Sequence, residues 1–257
     1  MFQLLEKTIR ILLAFTTFAA SSLFFLGVCL LLLPFRTLRI KICLFYGTVM
    51  GRTVLYLLKI KPVVKNKQRL QESFPALYVA NHTSTLDIFI GGWLAPIGVV
   101  GISKKEIVYV PFFGWLYYLS GHLLIDRSNR QAAITSMEKV VKRAKRDNLG
   151  IWIWPEGTRS KDGRLQELKK GFAHLALNSR LPIVPIIIHN AHKRWGKQTG
   201  FNFVKQPLEV EVLPTVDTSN WQADTLDEHI ASVRKIFIDN LREEQKPLLE
   251  TASESER

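Results

Sequence analysis

The stretch Ala76-Leu77-Tyr78-Val79-Ala80-Asn81-His82-Thr83-Ser84-Thr85-Leu86-Asp87 decides the fold. Its first five residues form a short apolar run, the length of a strand buried on both faces. The following residues are polar, and Ser84-x-x-Asp87 resembles a capping box, so a helix is expected over 84–95. A strand handing directly to a loop and helix is half of a βαβ unit. The pattern repeats at Ile151-Trp152-Ile153-Trp154, which passes into Pro155-Glu156-Gly157-Thr158-Arg159-Ser160.

Outward from these two junctions, short apolar runs alternate with longer amphipathic ones. Further strands are expected over 98–102, 122–125, 183–188 and 208–213, and further helices over 129–147, 168–179 and 224–245. The fold class expected is α/β, a mixed sheet flanked by helices, occupying residues 70–246. Residues 247–257 read as a polar tail, frayed from Thr251 onward. With 257 residues, 47% hydrophobic and 22% charged, the chain is neither disordered nor collagen-like.

Residues 1–69 read differently, as membrane-anchoring helices. No charged residue occurs from Ile11 to Phe35, a run long enough to enter a bilayer as a helix. A signal peptide is disfavoured because Leu23 to Leu33 continues the apolar run past the small residues Ala19-Ala20-Ser21. Residues 38–59 mix leucines and aromatics with Arg39, Lys41, Arg52 and Lys59, the composition of an amphipathic helix at an anionic lipid surface. The competing reading of 38–59 is a core helix of the domain. Lys7 and Arg10 precede the apolar run, while Arg36, Arg39, Lys41 and Arg52 follow it. That excess places the later domain on the cytoplasmic face, at the inner membrane if the chain is bacterial.

The net charge of +13 is concentrated here, eleven Lys and Arg against Glu6 alone in the first 70 residues. Its neighbour is the apolar run, and no zinc-finger or RNA-binding signature occurs. Membrane phospholipid is therefore the expected anionic partner and nucleic acid is not. The two cysteines, Cys29 and Cys43, also lie in this section and build neither a disulfide framework nor a cysteine-based metal site.

Chemistry concentrates after the strands. His82 and Asp87 stand five apart, about 140° around a regular helix, so they meet only if His82 is in the loop and Asp87 in the first helical turn. Asp87 then accepts from one ring nitrogen and leaves the other as a base. Gly157 permits close backbone approach, Thr158 and Ser160 offer hydroxyls, and Arg159 offers a planar fork suited to phosphate. Asp126-Arg127 and Lys104 sit at the ends of two more expected strands, the edge where α/β sheets bind ligands. Six aromatics between Tyr109 and Tyr118 can line an acyl slot, rest at a bilayer interface, or simply fill the core. His122, His174 and His229 are isolated and read as structural or surface residues. No nucleophile elbow, Walker A or G-x-G-x-x-G loop occurs.

Asn81-His82-x4-Asp87, the stretch from Lys104 through Pro111-Phe112-Phe113-Gly114 to Asp126-Arg127, Pro155-Glu156-Gly157-Thr158-Arg159-Ser160, and Pro182-x-x-Pro185 together resemble the four ordered blocks of the glycerolipid acyltransferase family. The resemblance covers roughly residues 70–215. It implies that His82 is the general base, with Asp87 orienting it. It implies also that Glu156, Gly157, Thr158 and Arg159, with Arg127, bind the acceptor's phosphate. Lys104, and Lys169 or Lys170, match basic positions of the family; Thr85 stands where many members carry a large aromatic. The implied reaction moves a fatty acyl group from acyl-CoA or acyl carrier protein to the sn-2 hydroxyl of lysophosphatidic acid, giving phosphatidic acid with no cofactor or metal. Three alternatives stay open: another lysophospholipid acceptor, a serine hydrolase built on Ser84, and a non-catalytic lipid-binding module.

Overall fold

A computed structural model describes residues 2–248 apart from Phe112, Arg127, Thr199, Phe203 and Lys205. Most of the expected polar tail, from residue 249 onward, lies outside the described residues. Two long helices come first, α1 (Phe2–Leu31) and α2 (Arg36–Leu57). Then follow β1 (Val63–Lys65), the single turn α3 (Arg69–Glu72), β2 (Leu77–Ala80), α4 (Leu86–Leu94) and β3 (Val99–Lys104). Next are α5 (Phe113–Leu119), β4 (Leu123–Ile125), α6 (Arg130–Asp147), β5 (Gly150–Ile153) and α7 (Gly171–Ser179). The chain continues through β6 (Ile183–His189), α8 (Ala191–Trp195), β7 (Gly200–Phe201), β8 (Glu209–Val212) and α9 (Leu226–Asn240).

Seven strands form one sheet in the order β1-β8-β6-β2-β5-β3-β4. All neighbours are parallel except β6 and β8, so the sheet is mixed, as expected. The unbroken apolar runs are its centre: every residue of β2, β5 and β6 is buried. Burying each Leu, Ile or Val there is worth about 1.5–3 kcal/mol. One face packs α6, α7 and α9 through Val140, Phe172, Leu175, Val233 and Phe237. The other face, carrying Tyr78, Val99 and Trp152, meets α2 and α4. Parallel β2, β5, β3 and β4 end on the same edge, and both chemistry-bearing loops leave from it.

Three short elements escape a periodicity reading. β1 precedes the boundary expected at residue 70 yet joins the sheet, pairing Val63–Lys65 with Glu209–Glu211. Three residues flanked by lysines carry no strand pattern of their own. β7 and α8 are equally short, and the helix expected over 224–245 ends at Asn240, with Glu243–Gln245 tightening into a 3-10 turn.

α2 combines the two readings of residues 38–59. Ile40, Leu44, Tyr46, Met50 and Val54 are buried against the domain. Leu38, Phe45, Val49 and Tyr56 form an exposed apolar stripe at spacings of seven, four and seven. α2 and α4 cross backbone to backbone, since a Cβ on Gly51 would collide with the Phe89 carbonyl oxygen. α1 runs back along α2: Arg10 donates to the Leu57 carbonyl at 2.9 Å and Lys59 pairs with Glu6. At the turn between them Arg36 makes a two-pronged pair with Asp147 at the end of α6. The start of α1 is thus tied to the end of α2, and the turn after α1 to the end of α6, while Leu5, Leu12, Phe15, Phe24 and Leu31 along it stay exposed. By length and composition α1 and α2 are each apolar enough to cross a membrane.

Candidate active site

At the end of β2, Asn81 replaces a strand residue with its side chain. Its amide donates to the Ile188 carbonyl at 3.0 Å and accepts the Ile188 N–H at 2.7 Å, fastening the loop to β6. His82 comes next, held by the loop after β5. Its N–H donates to Glu156 Oε1 at 2.6 Å and its carbonyl accepts the Ser160 N–H at 2.9 Å. Its ring stacks on Trp154 with centroids 4.6 Å apart. The main chain of His82 therefore has little freedom.

Asp87 lies in the first turn of α4 and is fully buried. Its Oδ2 is 2.8 Å from His82 Nδ1 and accepts the N–H groups of Thr83 and Ser84 at 2.7 and 2.8 Å. A carboxylate at a helix N-terminus meets the free N–H groups and the positive end of the helix dipole. Acceptance from Nδ1–H fixes the tautomer and leaves the lone pair on Nε2. The sequence placed this pair across a loop-to-helix junction, and the two meet there.

Ser84 is fully buried; its hydroxyl donates to the Trp195 carbonyl at 2.7 Å and accepts the Leu86 N–H at 3.0 Å. Both roles close the start of α4. The hydrolase alternative built on Ser84 falls, because its oxygen is fully buried and taken up by these two structural bonds, and His82 Nδ1 is engaged by Asp87.

The other expected phosphate ligands divide. Arg159 is half-buried, with one Nη1–H held by Thr85 Oγ1 at 2.6 Å. Thr85, small where the resemblance led one to expect an aromatic, thereby anchors the guanidinium beside the histidine loop. Gly157 takes a left-handed backbone, φ +74°, and Thr158 is exposed. Glu156 has a different role from the one expected. It is buried, its two oxygens accept the His82 and Gln166 N–H groups, and burial pushes its carboxyl up to about 8. A carboxyl so placed supports the histidine loop from behind and presents nothing to a ligand. Lys104 is exposed at the end of β3 on the same sheet edge, while its neighbour Lys105 is engaged by Asp126 at 2.8 Å. Arg127 lies outside the described residues. Lys170 pairs with Asp227 at 2.7 Å, and Lys169 contributes its N–H to the Pro155 carbonyl.

Two contributors were not singled out from the sequence. Lys197 reaches the Arg159 carbonyl at 3.5 Å, adding a cation beside the main chain of that loop from a segment with no motif. The larger omission is an apolar cavity, partly open to solvent, between the sheet and α2, α4 and α5. Gly101, Trp152 and Trp154 form its sheet side, Gly47 and Met50 come from α2, and Phe113 and Tyr117 from α5. Trp154 is the hinge of the arrangement, since the same indole lines the cavity and stacks on His82. Of the aromatics between Tyr109 and Tyr118, Phe113 and Tyr117 line this space, whereas Tyr109, Trp115 and Tyr118 are exposed and Phe112 lies outside the described residues. His122 is another wall residue: its Nδ1 accepts the Gly101 N–H at 2.7 Å, and burial holds its pKa down at about 4.

Comparison with known proteins agrees with this geometry. The acyltransferase family model matches residues 61–189. The 1-acyl-sn-glycerol-3-phosphate acyltransferase of Limnanthes douglasii is 39% identical over 96% of this chain and 87% of its own length. The protein of that name from Escherichia coli K12 is 34% identical over 68% of this chain and 70% of its own. The fold is similar to the crystal structure of the 1-acyl-sn-glycerophosphate acyltransferase PlsC from Thermotoga maritima. That likeness has a TM-score of 0.73 at 20% identity and covers 90% of this chain and 93% of the other.

Proposed function

The chain belongs to the acyltransferase family, and from that premise we propose that it acylates the sn-2 hydroxyl of lysophosphatidic acid from an acyl thioester, forming phosphatidic acid, with His82 as general base. The observation that carries the reading is the continuity from the His82–Asp87 pair through Trp154 into an apolar cavity, with Arg159 anchored alongside. A lipid-binding module needs the cavity and the cation but no buried carboxylate orienting an imidazole.

In the reaction the acyl chain occupies the cavity, and the acceptor's phosphate meets Arg159, with Lys104 and Lys197 adding positive charge on that edge. His82 Nε2 takes the proton of the sn-2 hydroxyl as its oxygen attacks the thioester carbonyl. The tetrahedral oxyanion collapses and expels the thiolate of coenzyme A or of acyl carrier protein. That thiolate accepts a proton, by return from His82 or from water. A thiol of pKa about 8.5 is a good leaving group, so no acyl-enzyme is required. Asp87 holds the ring in the tautomer that makes Nε2 the base and stabilises the imidazolium that forms.

The chain works at a membrane, where lysophosphatidic acid and product reside. The start of α1 is tied to the end of α2, and the turn between the two helices to α6, an arrangement that suits an α1–α2 hairpin entering one leaflet from the domain's side, with the exposed apolar stripes in lipid. The basic residues at both ends of the apolar run, Lys7 and Arg10 before it and Arg36, Arg39 and Lys41 after it, support a cytoplasmic position for that side.

The test is transfer by purified protein in mixed micelles. His82→Ala should lower turnover by about 10²–10⁴-fold with circular dichroism unchanged, and Asp87→Asn should approach it. Near-normal turnover by folded His82→Ala would remove the base from the mechanism.

A further inference from the structure

The only two cysteines of the chain stand 14 residues apart, one on α1 and one on α2, and the hairpin brings them together. Their sulfur atoms are 2.9 Å apart and both side chains are buried. The placement is firm because the helices are registered on both sides of it. Toward the middle of the hairpin, the hydroxyls of Ser21 and Ser22 bond Tyr46 Oη at 3.0 Å each, and Phe25 stacks on the same ring at 4.2 Å. Toward the turn, Arg39 donates to the Leu33 and Leu119 carbonyls. One further fact distinguishes the two thiols. Cys43 lies in the wall of the apolar cavity, and Cys29 does not.

We propose that Cys29 and Cys43 are a redox pair, in which a lipid-soluble organic hydroperoxide entering the cavity oxidises Cys43 and Cys29 resolves the product into a disulfide stapling α1 to α2. Chemically, the Cys43 sulfur attacks the terminal peroxide oxygen. The O–O bond breaks, the thiol proton passes to the departing oxygen so that the hydroperoxide leaves as its alcohol, and Cys43 becomes a sulfenic acid. The Cys29 sulfur then attacks the Cys43 sulfur and displaces water, so two thiols and one hydroperoxide give one disulfide, one alcohol and one water. The cavity selects the oxidant, because Cys43 is buried and its way out is a space walled mainly by apolar side chains, suited to an apolar molecule. The disulfide fixes α1 against the helix that roofs the cavity. It also closes a loop of 14 residues, which restricts the unfolded chain.

The full-length protein in detergent micelles is treated with cumene hydroperoxide, denatured, alkylated with iodoacetamide and weighed intact. Before treatment two alkyl groups should be found. Afterwards none should be found, with a mass lower by two hydrogens, a peptide linking Cys29 to Cys43, a higher unfolding midpoint, and reversal of all four by dithiothreitol. In Cys29→Ser the same treatment should leave a sulfenic acid on Cys43 that dimedone captures. Full alkylation after treatment, or disulfide-linked dimers in place of the internal bond, would overturn the pair. Failure of dimedone to label Cys43 in Cys29→Ser would overturn the order of attack. These readouts measure no acyl transfer, so they stand or fall separately from the assigned reaction.

Discussion

Glu156→Gln should change the sign of its effect on stability between about pH 5 and about pH 9. The carboxyl is buried between the two loops of the site. Burial raises its pKa, the charge of nearby Asp87 adds to this, and the two backbone N–H groups oppose it, giving about 8 against a reference of 4.5. The folded value lies above the unfolded one. Stability from this group is therefore complete below the reference value and is lost as pH rises to about 8. At 1.36 kcal/mol per unit the loss is about 5 kcal/mol. Glutamine carries no such dependence, but its NH₂ must face the N–H of either His82 or Gln166, which costs about 1–3 kcal/mol. At about pH 5 the wild type has surrendered less than about 1 kcal/mol, so the variant should be the less stable protein. At about pH 9 it should be the more stable one by about 2–4 kcal/mol, a shift of several degrees for a chain of this size. Thermal unfolding of both proteins in the same detergent across that range measures the difference directly. A variant less stable by the same margin at both ends would show that Glu156 is ionised throughout and that the supporting carboxyl has been misread.

Arg159→Ala removes a guanidinium aimed at the acceptor and should raise KM for lysophosphatidic acid about 10–100-fold, with Arg159→Lys in between, while KM for the acyl donor stays within about twofold. Steady-state kinetics varying each substrate in turn decide it; a rise in donor KM alone would reassign the residue. Gly51→Ala should destabilise the protein by about 1–3 kcal/mol, because a Cβ there would strike the Phe89 carbonyl and force α2 away from α4; an unchanged denaturation midpoint would contradict that close crossing. Deleting residues 1–35 should yield a protein that aggregates without detergent, since Tyr46 and Cys43 lose their cover from α1; a monodisperse truncated protein in plain buffer on size-exclusion chromatography would refute this.

How far the sequence was readable depends on where each residue's partners lie. β2, β5 and β6 are unbroken apolar runs, and the His82–Asp87 pair is separated by five residues, so strand and pair alike follow from local pattern. The opposite holds for α2. Its apolar residues face the sheet, α1 and solvent at once, so periodicity cannot say whether it is a core helix or a lipid-facing one; in the fold one stripe is buried and another stays exposed. The cavity was equally hidden. Its walls come from Met50, Gly101, Phe113 and Trp154, residues brought together only by the crossing of helices over the sheet.

Glu156 was misjudged for a related reason, and the comparison with Asp87 shows what governs such cases. Each carboxylate follows a strand end by a few residues, and each is buried. Asp87 is on a helix N-terminus, where Thr83 and Ser84 supply N–H groups from its own turn, and the imidazole adds a third donor. Its environment can be inferred from the six consecutive positions 82–87. Glu156 takes its donors from His82, 74 residues earlier in the chain, and Gln166, ten later, neither of which any local rule connects to it. An acidic residue beside Gly157, Thr158 and Arg159 looks like part of their ligand set until the fold turns it inward. Once turned inward, it explains why Arg159 sits where it does. Glu156 clamps the His82 main chain from one side while the Ser160 N–H holds it from the other, and Arg159, between these two anchors, reaches Thr85 three residues beyond His82. The spacing from Glu156 to Ser160 thus keeps the guanidinium on the histidine loop, and lengthening that segment by one residue should break the Arg159–Thr85 bond and raise KM for lysophosphatidic acid even with every side chain retained.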